Sequence, residues 1–398
     1  MALSVTRSRL GRGAGFVVTA YAFAATMIGT TLPTPLYGLY RQRFGFSELT
    51  ITVIFATYAL GVIAALLLLG RLSDEIGRRR ALLPGLVLSA LSAVAFLLAH
   101  GLGLLLVGRA LSGVSAGIFA GTATATLLDL AVSDQRGRAT LVATMANMGG
   151  LGCGPLLAGV LSQWASSPLR LVFWVDLVLL IPAVIGVWVM PETVAVKDRP
   201  RLRPQAPRVP VEVRSAFVPA AIAGFAGFAV LGLFTAVAPA FLGQVLGVQS
   251  HAVVGLVVFA VFAASAGGQL ALEWVPESAA MTTGCVALIG GMGVLALSLT
   301  VSSVGLLVAG GALAGFGQGL SFRAGLAALN AQSPPKRRAE VASSFFVVAY
   351  VAISIPVVGE GTLAQAVGLR AAGLAFAAAV ATLSAIGLAL LARGRAIA

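Results

Sequence analysis

The stretch Gly70-Arg-Leu-Ser-Asp74-Glu-Ile-Gly77-Arg78-Arg79-Arg80 is a charged island between two apolar runs, residues 48–70 and 81–99. Each run is long enough to cross a bilayer, which takes about 20 apolar residues. A short, glycine-containing, arginine-rich connection between two such runs reads as a tight turn at a membrane surface. Extending outward from it, the chain divides into twelve apolar runs: 14–36, 48–70, 81–99, 102–127, 139–162, 170–190, 217–242, 251–272, 279–300, 304–328, 340–359 and 369–391. Most connections are short. One is long and rich in proline and arginine, and it predicts a division into residues 1–193, a linker of residues 194–215, and residues 216–398.

Composition agrees with this reading. Of 398 residues 59% are hydrophobic and only 10% are charged, against about 25% in a typical soluble domain. That excludes disorder and an ordinary soluble enzyme. The net charge of +13 is a matter of placement. With the N-terminus on the cytoplasmic side, twenty lysines and arginines fall in cytoplasmic segments and four (Arg41, Arg43, Arg170, Arg370) fall outside. This bias predicts a multi-pass protein of the cell inner (plasma) membrane with both termini cytoplasmic. No nucleic-acid role is expected, since the basic residues are loop residues between spans. The three arginines before the first apolar run mimic a signal peptide, but the runs that follow make the first one an uncleaved span. Cys153 and Cys285 lie in apolar runs, so neither a disulfide framework nor a metal site is expected.

The two groups of six spans look duplicated. Ser133-Asp-Gln-Arg-Gly-Arg138-Ala139 matches Ser333-Pro-Pro-Lys-Arg-Arg338-Ala339, 200 residues on. Asp74 matches Glu273 at 199, and Gly113 and Gly117 match Gly315 and Gly319 at 202. Offsets this close imply parallel six-helix repeats with a site between them.

The island around Asp74 resembles the signature loop of the major facilitator superfamily: a glycine (Gly70), an aspartate four residues on, then Gly77-Arg78-Arg79. It departs from the usual pattern in having Glu75 where a basic residue follows the aspartate. The resemblance covers the whole chain. It implies an all-α membrane protein of twelve transmembrane helices in two pseudo-symmetric six-helix bundles. It also implies that Asp74 locks the cytoplasmic side by bonding to a helix of the other half, and that Asp129, at the end of span 4, pairs with Arg78. In span 5, Gly150-Leu-Gly-Cys-Gly154-Pro155-Leu-Leu-Ala158-Gly159 resembles the antiporter signature, with Ala158 replacing a glycine. Ala146, Gly150, Gly154 and Ala158 also form a small-residue stripe suited to close helix packing. Arg109-Ala-Leu-Ser-Gly113 resembles an R-x-x-x-G motif of drug:proton antiporters, with Ser112 where glutamine is common.

Arg109 sits deep in span 4, where a charge must face a cavity or a partner. Asp176, at similar depth in span 6, reads as its ion-pair partner, a proton carrier or an interfacial acid. Arg323 reads as a snorkelling cation. Glu360 reads as an outer-surface acid near Arg370. His100 and His251 fall in outer loops and carry no assigned chemistry. Tyr21, Thr26, Thr30, Asn147, Gln318 and Tyr350 are polar or aromatic residues within spans, suited either to a cavity wall or to interhelical packing.

These readings predict a secondary active transporter, proton-coupled, exporting small lipophilic or weakly polar compounds such as drugs, by rocking alternating access. The alternative is an importer or facilitator of a metabolite such as a sugar or organic anion. A non-transporting membrane sensor would normally carry an added soluble domain. No nucleophile–base or metal-ligand cluster points to an enzyme. The expected partners are a small-molecule substrate, protons and the bilayer, with no cofactor and a monomeric working unit.

Overall fold

The structure is a computed structural model, and it describes residues 10–70, 72–132, 135–194, 207–334 and 337–397. Arg7 and Arg9, most of the linker, and parts of the two matching charged loops (Ser133, Asp134, Pro335, Lys336) lie outside the described residues.

Among the described residues twelve helices are long and apolar enough to cross a bilayer. They are α1 (Arg12–Phe44), α2 (Glu48–Leu69), α3 (Arg78–Leu97), α4 (Leu102–Leu130), α5 (Arg136–Trp164), α6 (Pro168–Val189), α7 (Val211–Ala236), α8 (His251–Ala271), α9 (Glu277–Val301), α10 (Val304–Gln332), α11 (Arg338–Val367) and α12 (Leu369–Arg393). Ser47, Ser250 and Ser303 cap α2, α8 and α10, each hydroxyl accepting a backbone N–H three residues on. α1 runs past its expected end through a 3-10 turn at Thr34–Leu36. α11 runs eight residues beyond the expected 359 and stops at Gly368, whose φ of 85° suits glycine. α7 begins at Val211, inside the expected linker.

The spans form two six-helix bundles, α1–α6 and α7–α12. We call the face carrying the Gly70–Arg80 loop the basic face. Helix α1 begins there, since Arg12 donates to the Asp129 carbonyl at the end of α4.

The glycine rows show why the bundles repeat. A Cβ on Gly113 would collide with the Tyr58 carbonyl of α2, and one on Gly117 would stand 3.0 Å from the Val62 carbonyl. In the second bundle Gly315 meets the Val261 carbonyl of α8 and Gly319 meets the Ser265 carbonyl. Tyr58 and Val62 thus correspond to Val261 and Ser265 just as the glycines correspond to each other. Without a hydrophobic drive between helices in lipid, such backbone-to-backbone approach is what holds a pair together.

Between bundles, α5 packs on α8 and α2 on α11. These contacts concentrate at the face opposite the basic one. There Gly159 meets the His251 carbonyl, Gly255 meets the Pro155 carbonyl and Gly361 meets the Thr52 side chain. Gln244 Nε2 donates to Glu48 (2.6 Å) and Ser250 Oγ to Gln163 (3.1 Å), both across the seam.

Replacing Gly319 by leucine should separate α8 from α10 and lower stability by about 1–3 kcal/mol, the usual cost of overpacking. The control Gly293→Leu, on an exposed glycine with nothing within 4 Å of its Cβ position, should leave the thermal midpoint in detergent unchanged. Equal midpoints for both variants would contradict this account of the packing.

Candidate functional site

The loop between α2 and α3 is built around two acids far away in sequence. Gly70 ends α2, and Gly77, with φ of 101°, turns the chain into α3. The first backbone N–H groups of α3 need acceptors. Glu192, just beyond α6, supplies both: its carboxylate accepts from Arg78 N (2.7 Å) and Arg79 N (3.1 Å). A Cβ at position 77 would run into that carboxylate. The buried Arg78 guanidinium donates to Asp129 Oδ2 (3.0 Å), Asp74 Oδ1 (2.5 Å) and Ser73 Oγ (2.7 Å). Arg79 lies over the Trp188 ring, 5.9 Å from its centroid. The cluster therefore ties α3, α4 and α6 within one bundle. Asp74, expected to reach the other bundle, is paired inside its own. Asp74 is half exposed, so water weakens its pair with Arg78. Glu192 escaped the sequence reading because it stands 114 residues from Arg78. The clue available was an acid at the end of span 6, on the face where the positive end of α3 lies.

Helix α5 has small residues on two faces. Gly150 packs against Ala24 and Met27 of α1, and Gly154 against Ile28 and Thr31. Gly152 packs on Phe259 and Phe262 of α8, and Gly159 also faces α8. Pro155 lacks an N–H, so the Leu151 carbonyl one turn earlier has no donor from its own helix. Thr31 Oγ1 of α1 supplies one at 2.8 Å. Just before this point the helix widens into a π turn at Met145–Gly149.

A cavity of about 440 Å³ lies between the bundles. It runs from Thr30 and Arg109 at mid-depth to Leu128, Thr140 and Arg323 toward the basic face. Its walls are largely apolar and aromatic, with Phe55, Phe228, Phe262, Phe322 and Phe346 prominent. No aspartate or glutamate is among its described lining residues.

Arg109 is 2% exposed. It donates to the Thr30 carbonyl at 2.6 Å, and its guanidinium carbon lies 4.7 Å from the Tyr58 ring centroid and 5.4 Å from that of Phe55. A carbonyl and two π faces thus hold the cation. Its Nε has no partner among the described residues. Arg323 also lines the cavity, donating to the Gln269 carbonyl (2.5 Å) and lying 3.7 Å from Glu273. It lines the cavity while its guanidinium reaches toward Glu273, just beyond the basic-face end of α8.

Of the remaining candidates Asn147 and Tyr350 line the cavity, and Tyr350 and Tyr58 bring their hydroxyls together across the two bundles. Tyr21 does not. It is nine residues before Thr30, about 180° around α1, and its hydroxyl donates to the Leu179 carbonyl of α6. Gln318 is also absent from the wall. It packs against Gly227 of α7 and accepts from Ser265 Oγ at 2.6 Å. Asp176 is buried against Gly29, in α1, and makes no ion pair with Arg109. The two residues grip neighbouring positions of α1, Gly29 and Thr30. Glu360, expected at the outer surface, is 4% exposed because α11 continues past it, and Arg370 donates to Ser302 instead.

The pattern of the Major Facilitator Superfamily matches residues 14–355. A triacylglyceride transporter of Mycobacteroides abscessus is 36% identical over 155 residues, 38% of this chain and 30% of that protein. Multidrug resistance protein 2 of Bacillus subtilis is 24% identical over 188 residues, 47% of this chain and 46% of that protein. The chain therefore spans less than half the length of these relatives. Among solved structures, a bacterial homolog of the human lysosomal transporter Spinster, described as inward-facing and unoccupied, superposes with a TM-score of 0.70 at 14% identity, covering 96% of this chain and 98% of that one. The human organic anion transporter MFSD10 gives 0.68 at 17%, covering 96% and 100%. With its twelve helices in two repeated bundles around a central cavity, the chain belongs to the Major Facilitator Superfamily.

Proposed function

We propose that this membrane transporter exports small lipophilic or weakly polar compounds by proton-driven rocking alternating access. One observation carries the reading: a cavity between the bundles with apolar and aromatic walls, two arginines and no described acid. Aromatic walls bind lipophilic molecules with little demand on shape. Arginines without an acid on the cavity wall, such as Arg109 held by π faces and a carbonyl, tolerate a neutral or anionic solute and disfavour a cationic one. Similarity to a multidrug resistance protein and to a triacylglyceride transporter supports a lipophilic cargo.

The basic face is the cytoplasmic one, by the excess of arginines and lysines there. The cavity then faces the cytoplasm, and the seam of Glu48, Gln244, Gln163 and Ser250 closes the outer side. The membrane is the plasma membrane and the working unit is a monomer. Arg109 is the substrate anchor, with Asn147 and Tyr350 beside it. Gly150, Gly154, Pro155 and Gly159 form the helix surface on which the bundles turn. In the opposite state Asp74 leaves Arg78 and bonds across the bundles. A second reading, a carrier of organic anions, is favoured by Arg109 and Arg323 sharing one cavity.

In a host stripped of its own efflux pumps, the chain should raise resistance to lipophilic drugs, and an uncoupler should abolish the gain. Arg109→Ala should reduce transport by about tenfold or more, and Arg109→Lys should restore part of it, since lysine keeps the charge but loses the planar face. Uncoupler-insensitive uptake of an organic anion, with no drug phenotype, would favour the second reading.

A cysteine at Gly137, on the basic face, should resist an impermeant thiol reagent in intact cells, whereas one at Leu98 should react. The reverse pattern would invert the orientation. Asp74→Asn should insert normally and slow transport several-fold; full activity at equal expression would remove the gating role.

A further inference from the structure

Helix α11 presents Phe346, Tyr350 and Ile353 to the cavity. The same helical face continues to Val357 and Glu360, two turns and about 10 Å beyond Ile353. By that level the cavity has ended and the bundles touch. Val357 packs on Gly232 of α7 within its own bundle, and Gly361 packs on Thr52 of α2 across the seam. Glu360 is 4% exposed, and neither carboxylate oxygen has a hydrogen-bond partner among the described residues. An ionised carboxylate there would be stripped of water with no donor in return.

The helices packed against α11 are α2, α7, α10 and α12, and their charged groups are engaged or placed elsewhere. On α2, Glu48 is one turn before Thr52 and is paired with Arg41. Tyr58, further along α2, faces Tyr350. Glu212 and Arg214 stand at the opposite end of α7. Arg323 on α10 binds the Gln269 carbonyl, and Arg370 on α12 binds Ser302. Arg393 is at the far end of α12. No described cation is therefore available to neutralise Glu360 in this state.

We propose that Glu360 is a proton-binding site, and that protonation of its carboxylate allows the seam opposite the basic face to close over it. When the seam opens, the stripe from Ile353 to Glu360 becomes the wall of a cavity facing the other way. Glu360 then meets water and releases its proton to it. When the seam closes, a proton from that water returns to a carboxylate oxygen. No other bond changes. The proposal rests on the alternating-access reading but not on the substrate or the direction of its transport.

The test uses spin labels on cysteines at Leu98 and Val301, exposed residues at the seam-side ends of α3 and α9, with Cys153 and Cys285 replaced by serine. Distances are measured by pulsed electron resonance in lipid nanodiscs from about pH 5 to about pH 9. In the parent the long-distance population should grow as pH rises, because deprotonation disfavours the closed seam. Glu360→Gln should hold the short distance across the whole range, while Glu360→Asp should keep a pH response. Asp176→Asn, altering the other buried acid among the described residues, should behave like the parent. A parent-like response in Glu360→Gln would overturn the proposal. So would a parent indifferent to pH yet shifted by added drug, a result that needs no folded Gln variant. Distances that never change with pH, drug or variant would instead overturn alternating access itself.

Discussion

Hydrocarbon offers no hydrogen bonds, so every backbone polar group inside this molecule must be satisfied by the protein. That constraint produces the helices, and it also governs how they are joined. Where Pro155 breaks the ladder of α5, the Leu151 carbonyl takes a hydroxyl from Thr31 of α1. Where α2 meets α4 and α8 meets α10, glycines let carbonyls approach the neighbouring backbone. The same chemistry repeated in two bundles yields the pseudo-symmetry and leaves a cavity where the bundles face each other.

Charge follows the same logic at higher stakes. Arg78 is surrounded by acids at the basic face, where water shares the load. Arg109, at mid-depth, has no acid paired with it among the described residues. It depends on the Thr30 carbonyl and the rings of Phe55 and Tyr58. The first arrangement fixes a turn. The second leaves a positive group at the cavity wall with part of its donor capacity unspent.

Much of the fold was legible because it depends on local composition: long apolar runs, the charged island at Asp74 and glycine rows separated by a constant offset. The twelve spans and the two bundles follow from those. Which face of a helix meets the cavity was less legible. Tyr21 and Thr30 share a helix, yet half a turn separates them, and only the packing of α1 against α6 decides which looks inward. Gln318 takes the packing alternative for the same reason, its side chain serving α7 and α8. Glu360 was misread because the end of α11 was set eight residues short, at the point where apolar residues thin out. Glu192 carries no signal beyond being an acid at the end of span 6, since its task is to complete a helix that starts more than a hundred residues earlier.

Helix α5 is fastened on one side and merely apposed on the other. Toward α1 it is tied by the hydroxyl that completes its backbone. Toward α8 it offers glycines and a proline with no backbone hydrogen bond between the two helices among the described residues, and the polar links at the rim, Gln163 to Ser250 and Glu48 to Gln244, are exposed. Water can replace rim bonds of this kind at little cost. Under the rocking motion proposed above this seam is a bearing: α1 and α5 would travel as one piece, and sliding would be confined to the α5–α8 and α2–α11 surfaces. Friction in such a bearing would be set by a few small side chains on four helices, with the outer helices α3, α6, α9 and α12 as the housing that keeps those surfaces aligned.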